Sequence, residues 1–431
     1  VAQVALATAD DADRAVQAAQ AALPEWHAAG PSGRAEALHR FATLFGEEID
    51  QVAELMHLEM GKPRAEARLE VARAVDVVRH FAAEPERLLT GTVPGPTAGT
   101  GSSVRPVPIG VVAAITPWNF PVALVVWKLA PALAAGCTVV VKPAIEAPLS
   151  PWAVADIAQR AGLPAGSVSV ITGDGPTLGE ALCTHPGVAK VAFTGSRRVA
   201  EIIAGWTGPR LKSLSLELGG HGPLVVLPDA DLETAVDVAI VQGYVNAGQA
   251  CYSVNRVLVP PELAGDFLER FRDRMGELSL GPMATDRGLA RHRELLADAR
   301  EKGATVEGGE DLGGNFVAPA LVTGAGPGVR VVDEEPFTPI VTVMEVPDTA
   351  AAIAEANRPD FGLVGYVCGR DLRRSLEVAQ ELRCGTVVVN GWRVVVPYAP
   401  FSGWRGSGVG SELGRPGLEA FLRWQHVRVL Q

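Results

Sequence analysis

From Val111 to about Leu227 the chain alternates between two periodicities. Strand-like runs (GVVAAIT, TVVVK, SVSVIT, VAKVAFTG, KSLSLEL and PLVVL) are separated by helical patterns at 122–135, 150–162, 176–184 and 196–205. Parallel neighbours need long crossovers and antiparallel ones do not, so this rhythm predicts a parallel sheet with helices on both faces. Such sheets bind ligands at the carboxyl ends of their strands. A second α/β half follows from about Asp231 to Asn390. Its strand candidates are NRVLVP, PIVTVMEV, LVGYVCG and TVVVN, and helices are expected at 231–246, 261–275, 287–302, 349–357 and 371–382. The first ~85 residues read as helical, with Ser32 as the cap of a long helix running to Gly61. The stretch TGTVPGPTAGTGSS reads as a loop or projecting hairpin, and the last residues read as a strand.

One stretch resists this frame. Ile109–Trp127 holds nineteen residues without a charge, nearly the ~20 that a membrane helix needs. Pro117 and Pro121 break it, because each removes a donor and biases its predecessor away from helix. Asn119 would need a partner in lipid. The stretch therefore divides into a strand, a turn at Thr116–Pro121 and a helix from about Val122.

Composition narrows the class. At 431 residues, two or three domains are expected. The net charge of −11 argues against nucleic acid. Five cysteines with no C-x-x-C pair favour free thiols in a reducing, cytoplasmic setting. The scattered histidines show no metal-ligand spacing with them. The start, DDADRAVQAAQAAL, reads as a helix rather than a signal peptide.

Four stretches could carry chemistry. Cys251 lies in NAGQACYSVNR, a small and polar turn that suits a reactive thiol as well as a packed one. Glu217 ends an apolar strand before two glycines, as a desolvated general base or an exposed strand-end carboxylate. Asn119 could aim its amide at an oxyanion or bond its own backbone. FTGS (193–196) and TGDGPTLG (172–179) are strand-to-helix junctions that could hold a phosphate or be plain caps.

Taken together the chain resembles the NAD(P)-dependent aldehyde dehydrogenase superfamily. The matching stretches, in order, are PWNFP at 117–121, VKPA at 141–144, FTGS at 193–196, LELGG at 216–220, GQAC at 248–251, EEPF at 334–337 and APFSGWRGSGVGSE at 399–412. The resemblance implies a Rossmann-type cofactor domain (1–87 and 109–220), an α/β catalytic domain (221–406) and an oligomerisation arm (88–108 and 407–431). It makes Cys251 the nucleophile, Glu217 the general base, and Asn119 with the Cys251 N–H the oxyanion hole. Thr116, Pro117, Trp118, Lys142, Gly175, Gly195, Ser196, Leu218, Glu335 and Phe337 match cofactor contacts, and Glu412 a second carboxylate. The cofactor would be NAD or NADP, and the assembly a homodimer or homotetramer. No metal or membrane partner is implied.

Some positions depart from the family. Ile145 replaces the acid that usually grips the adenosine ribose, which leaves NAD and NADP both open. Thr338 and Ala200 replace common glycines, the 276–283 segment is short, and the usual opening strands are missing. The aldehyde tunnel would be lined by Trp127, Tyr244, Val245, Tyr252, Trp392, Arg393, Val395 and Phe401. Relatives using succinate semialdehyde carry Arg at the places of Trp127 and Val245. An aromatic lining favours an apolar or aromatic aldehyde. Arg393 favours the alternative, a small anionic aldehyde such as a carboxylate or phosphonate in a biosynthetic pathway. A catalytically quiet structural or binding protein on the same fold is the other alternative.

Overall fold

A computed structural model describes residues 2–88, 90–95 and 100–429. Four helices open the chain: Ala9–Ala28, Gly30–Glu47, Ile49–Met60 and Arg64–Ala82. The first begins with a reciprocal capping box between Thr8 and Asp11. Ser32 does not cap the second. That helix starts at Gly30, with Pro31 in its first turn, where a missing N–H costs nothing. Nor does one helix run on to Gly61: it breaks at Glu48 and restarts, and Gly61 closes the third helix at φ 73°.

The predicted alternation forms a six-stranded sheet. Its order is Gly408–Val409, Ser213–Glu217, Val188–Thr194, Val111–Ile115, Thr138–Lys142 and Val168–Val170. The last five are parallel, and only the two-residue strand at 408–409 runs against them. Sequence order reverses on either side of Val111–Ile115, so a crevice opens at the carboxyl ends there. Strands Val111–Ile115 and Thr138–Lys142 are buried at every position, as a sheet covered on both faces requires.

The second half forms a seven-stranded sheet. Its order is Thr305–Gly308, Ala320–Thr323, Ile340–Glu345, Val254–Val259, Gly222–Val226, Val364–Cys368 and Thr386–Val389, parallel except for the first. The strands at 305–308 and 320–323 were not expected from sequence. Both are short and sit at or beside an edge.

Gly91–Pro94, Gly101–Pro108 and Leu422–Val429 make a separate antiparallel sheet. Residues 96–99 of the expected loop or hairpin lie outside the described residues. Gly408–Val409 does not belong to this arm, although the sequence placed 407–431 there. It pairs with Leu216 and Glu217, and so brings the glycine-rich tail against the strand that ends in Glu217. Among the described residues no helix is long and apolar enough to cross a membrane.

The charge-free stretch divides as expected. Helix Ala123–Ala135 is buried at all thirteen positions, and Lys128 is its single charge.

Candidate active site

Three segments meet at the crevice. The first is the turn after Val111–Ile115, which carries Asn119. The second is the Leu218–Gly220 turn after Glu217. The third is the loop bearing Cys251. Packing between the last two is tight: a Cβ on Gly220 would lie 2.2 Å from the Cys251 carbonyl oxygen. The cysteine loop has an unusual backbone, with Asn246 and Ala247 left-handed at φ 50° and 55°, followed by Gly248 at 70°. Two non-glycine residues in that region cost energy, which the surrounding contacts must hold in place.

Cys251 is partly exposed; the other four cysteines are buried, and all five are free. Burial, followed by the charge of Glu217, raises the Cys251 thiol well above its usual range. Glu217 is buried, and among the described residues neither of its carboxylate oxygens has a partner within hydrogen-bond geometry. Its pKa is pushed up to about 8, by burial first and by Glu412 second, while Lys128, Cys251 and Thr194 pull the other way. A buried, unpartnered carboxyl beside a thiol is poised to exchange a proton. Asn119 is buried and donates its amide to the Gln249 carbonyl at 3.0 Å. That bond uses one N–H and leaves a second for a substrate oxygen.

Behind Glu217 lies a buried ion pair that sequence reasoning missed. Lys128 Nζ reaches Glu412 Oε1 and Thr194 Oγ1, both at 2.6 Å. The available signal was a lone lysine in an otherwise apolar helix. The second Glu412 oxygen has no partner.

The expected cofactor residues follow the sheet edge. Thr116, Pro117 and Trp118 extend strand Val111–Ile115, and Lys142 ends its neighbour. Gly195, Ser196 and Leu218 follow the two strands on the other side. Gly175 opens helix Gly175–Thr184. Ser196 is the N-cap residue of helix Arg197–Thr207 and makes no side-chain cap bond. Glu335 arrives from the other half and accepts the Gly220 N–H at 2.9 Å; burial raises its pKa to about 7. Phe337, at φ 55°, meets Trp118 edge to face at 5.8 Å.

A dinucleotide fits these groups. The Thr116 hydroxyl is buried without a partner. Lys142 is buried and near the charges of Glu146 and Asp174. Gly195 has its α-carbon against the Phe193 ring, so a Cβ there would lie 2.5 Å from it. Lys142 and Glu335 would take ribose hydroxyls, and the free N–H groups of helix Arg197–Thr207 would face phosphate. Ile145 is exposed beside them. Thr338 is buried, with its hydroxyl unpartnered. Ala200 is accommodated in the core.

Of the expected tunnel residues, Trp127 stacks edge-on against Phe401 at 5.3 Å, and Tyr252 stacks on Phe120 at 5.6 Å. Val245 is half-buried at the start of the cysteine loop, and Val395 packs at the rim of the core. Trp392 and Arg393 are exposed. Tyr244 is not in this group. Its ring lies 6.1 Å from Phe271 and its hydroxyl donates to the Ala320 carbonyl at 2.9 Å, which makes it a core residue. Among the described residues no cluster of three His, Cys, Asp or Glu is placed to hold a metal.

A doubly wound parallel sheet with a crevice at its switch point is a fold that serves dinucleotide-dependent oxidoreductases. The model of the aldehyde dehydrogenase family matches residues 1–427, and the chain belongs to that family. It is 39% identical to the succinate-semialdehyde dehydrogenase (NADP(+)) of Escherichia coli over 97% of this chain and 90% of that one. It is also 39% identical to the 3-sulfolactaldehyde dehydrogenase of Pseudomonas putida, over 97% and 89%. The crystal structure of betaine aldehyde dehydrogenase from Staphylococcus aureus in complex with NAD+ superposes with a TM-score of 0.95 at 32% identity, covering 99% of this chain and 88% of that one. The protein is therefore an NAD(P)-dependent aldehyde dehydrogenase.

Proposed function

We propose that this enzyme oxidises an uncharged apolar or aromatic aldehyde to its carboxylic acid. The observation that carries the substrate class is the aromatic pairing at the positions expected to line the tunnel. The Trp127–Phe401 and Phe120–Tyr252 pairs present ring faces and edges, and no cation stands at 127 or 245.

In the proposed reaction the Cys251 thiol loses its proton to solvent, and the thiolate sulfur bonds to the aldehyde carbon. The carbonyl oxygen becomes an oxyanion held by the free Asn119 N–H. A dinucleotide held at Lys142, Glu335 and the start of helix Arg197–Thr207 would supply the hydride acceptor, and loss of hydride from the thiohemiacetal carbon leaves a thioester on Cys251. Glu217 then removes a proton from water, the hydroxyl attacks the thioester, and the C–S bond breaks to free the acid and the thiol.

A second reading is supported by the relatives, two of which are named for succinate semialdehyde and 3-sulfolactaldehyde. An exposed Arg393 could meet such an anion. Comparing kcat/KM for benzaldehyde, hexanal, succinate semialdehyde and a sulfonated aldehyde, with NAD and NADP separately, decides between them. An apolar aldehyde should lead. A preference of roughly 100-fold or more for an anionic one, abolished by Arg393→Ala, would establish the second reading. NAD(P)H formation persisting in Cys251→Ala would remove Cys251 as nucleophile.

The division into cofactor domain, catalytic domain and arm is proposed with it, supported by the separation of the six-stranded, seven-stranded and three-stranded sheets. We also infer a homodimer or homotetramer joined through the arm, working in the cytoplasm, where free thiols persist.

A further inference from the structure

The oxyanion amide and the nucleophile sit on different segments, and helix Arg64–Ala82, together with Lys62 just before it, contacts both segments. Helix Arg64–Ala82 carries Glu66 and Glu70 one turn apart on the same face. Glu70 is buried, and its Oε1 accepts the N–H groups of Val122 (3.1 Å) and Ala123 (3.0 Å), at the start of helix Ala123–Ala135. Its Oε2 pairs with Lys62 Nζ at 2.6 Å. The same buried ammonium donates to the main-chain carbonyl of Asn119 at 2.7 Å and lies 4.1 Å above the Phe120 ring. Glu66 takes the N–H of Asn246, the first left-handed residue of the cysteine loop, at 3.0 Å. The Asn246 side chain closes the circuit, donating to the carbonyls of Asn119 (3.1 Å) and Gln249 (3.3 Å). Gln249 O is the group that receives the Asn119 amide.

We propose that Lys62 and Glu70 are positioning residues for the oxyanion hole, locking the Asn119 turn at a set distance from Cys251. The lock acts in two places at once. Lys62 fixes the carbonyl of the residue whose side chain stabilises the oxyanion, and Glu70 fixes the amides of Val122 and Ala123 beyond the turn. Burial makes both contacts stiff, since neither charge can be released to water without stranding the other. An amide displaced by about one ångström from its hydrogen-bonding position against the developing oxyanion loses most of its effect. This inference rests on the role of Asn119 in the reaction proposed above.

The test is a double-mutant cycle read on the pre-steady-state burst of NAD(P)H, which reports acylation. Lys62→Met/Glu70→Gln removes both charges together, so no ion is stranded. Lys62→Met alone is the companion variant. Each should bind NAD(P)H as the parent does and slow the burst by about 10- to 100-fold, with little change in KM. The same change made in Asn119→Ala should slow the burst no further, because the lock acts through that amide. Multiplying effects, or a parental burst in Lys62→Met/Glu70→Gln, would overturn the lock while leaving the oxyanion role of Asn119 intact. A parental burst in Asn119→Ala itself would overturn both. If Lys62→Met/Glu70→Gln fails to fold, Glu70→Asp keeps the charge that pairs with Lys62 while shortening the reach to the Val122 and Ala123 amides, and is read in the same cycle.

Discussion

A carboxyl group held near pH 8 inside a protein is a proton store, and Glu217 is such a group. Hydrolysis of the thioester needs its ionised form, so deacylation should rise as pH passes through about 8 and level off above it. Glu217→Gln should leave an initial burst of NAD(P)H and cut steady turnover by about 10²- to 10⁴-fold. The same group has a consequence for stability. In the unfolded chain it ionises above its ordinary 4.5, while the folded chain keeps the proton until about 8. The folded state binds more protons across that window, so its contribution to stability falls as pH rises from about 4.5 to about 8. Thermal unfolding of Glu217→Gln at pH 5 and pH 8 should therefore show a smaller pH difference than the parent. Neither the unpartnered oxygens nor the Lys128–Glu412 pair behind them could be read from LSLELGG. The pair joins residues from helix Ala123–Ala135 and the tail, 284 positions apart.

At the scale of elements, the glycines of the LELGG turn are there for contact rather than flexibility. A methyl at Gly220 would meet the Cys251 carbonyl at 2.2 Å, and one at Gly219 would meet the Glu335 carboxylate at 2.2 Å. Gly220→Ala should destabilise by about 1–3 kcal/mol through overpacking. It should also lower kcat/KM far more than that loss of stability explains, because the displaced atom belongs to the nucleophile. Thermal unfolding and burst kinetics on the same sample measure the two effects. Element positions were largely legible, since helices 261–276 and 286–301 fall within a residue of their sequence periodicity. Side-chain direction beyond an element end was not legible. Tyr244 closes helix Leu232–Tyr244 and turns into the core, while Val245 and Tyr252 lie outside it. The left-handed residues that follow redirect the chain; Asn246 is a residue type that favours φ above zero, but nothing in VNAG announces it at Ala247.

For the whole molecule, the arm is the exposed feature that most needs a partner. Strand Leu422–Val429 is exposed at seven of its eight positions and shows Trp424, Val427 and Val429 to solvent. It is an edge strand with one side of its backbone unpaired by its own sheet. If the arm joins subunits as proposed, Trp424→Asp/Val427→Asp should lower the mass seen by light scattering without lowering the helical signal in circular dichroism. An unchanged mass would place the subunit contact elsewhere.

By itself the sequence determined what depends on local order. The alternation of strand and helix periods set the two parallel sheets, and the prolines around Asn119 set the turn that ended the membrane reading. Those signals are local because backbone restriction and apolar periodicity act within a few residues. Tertiary structure alone decided what those residues meet. It put Gly408–Val409 beside Glu217, Lys128 on Glu412, and a single helix behind both Asn119 and the cysteine loop. Each of these is a contact between groups far apart in the chain, and burial, which gives such contacts their strength, exists only once the chain has folded.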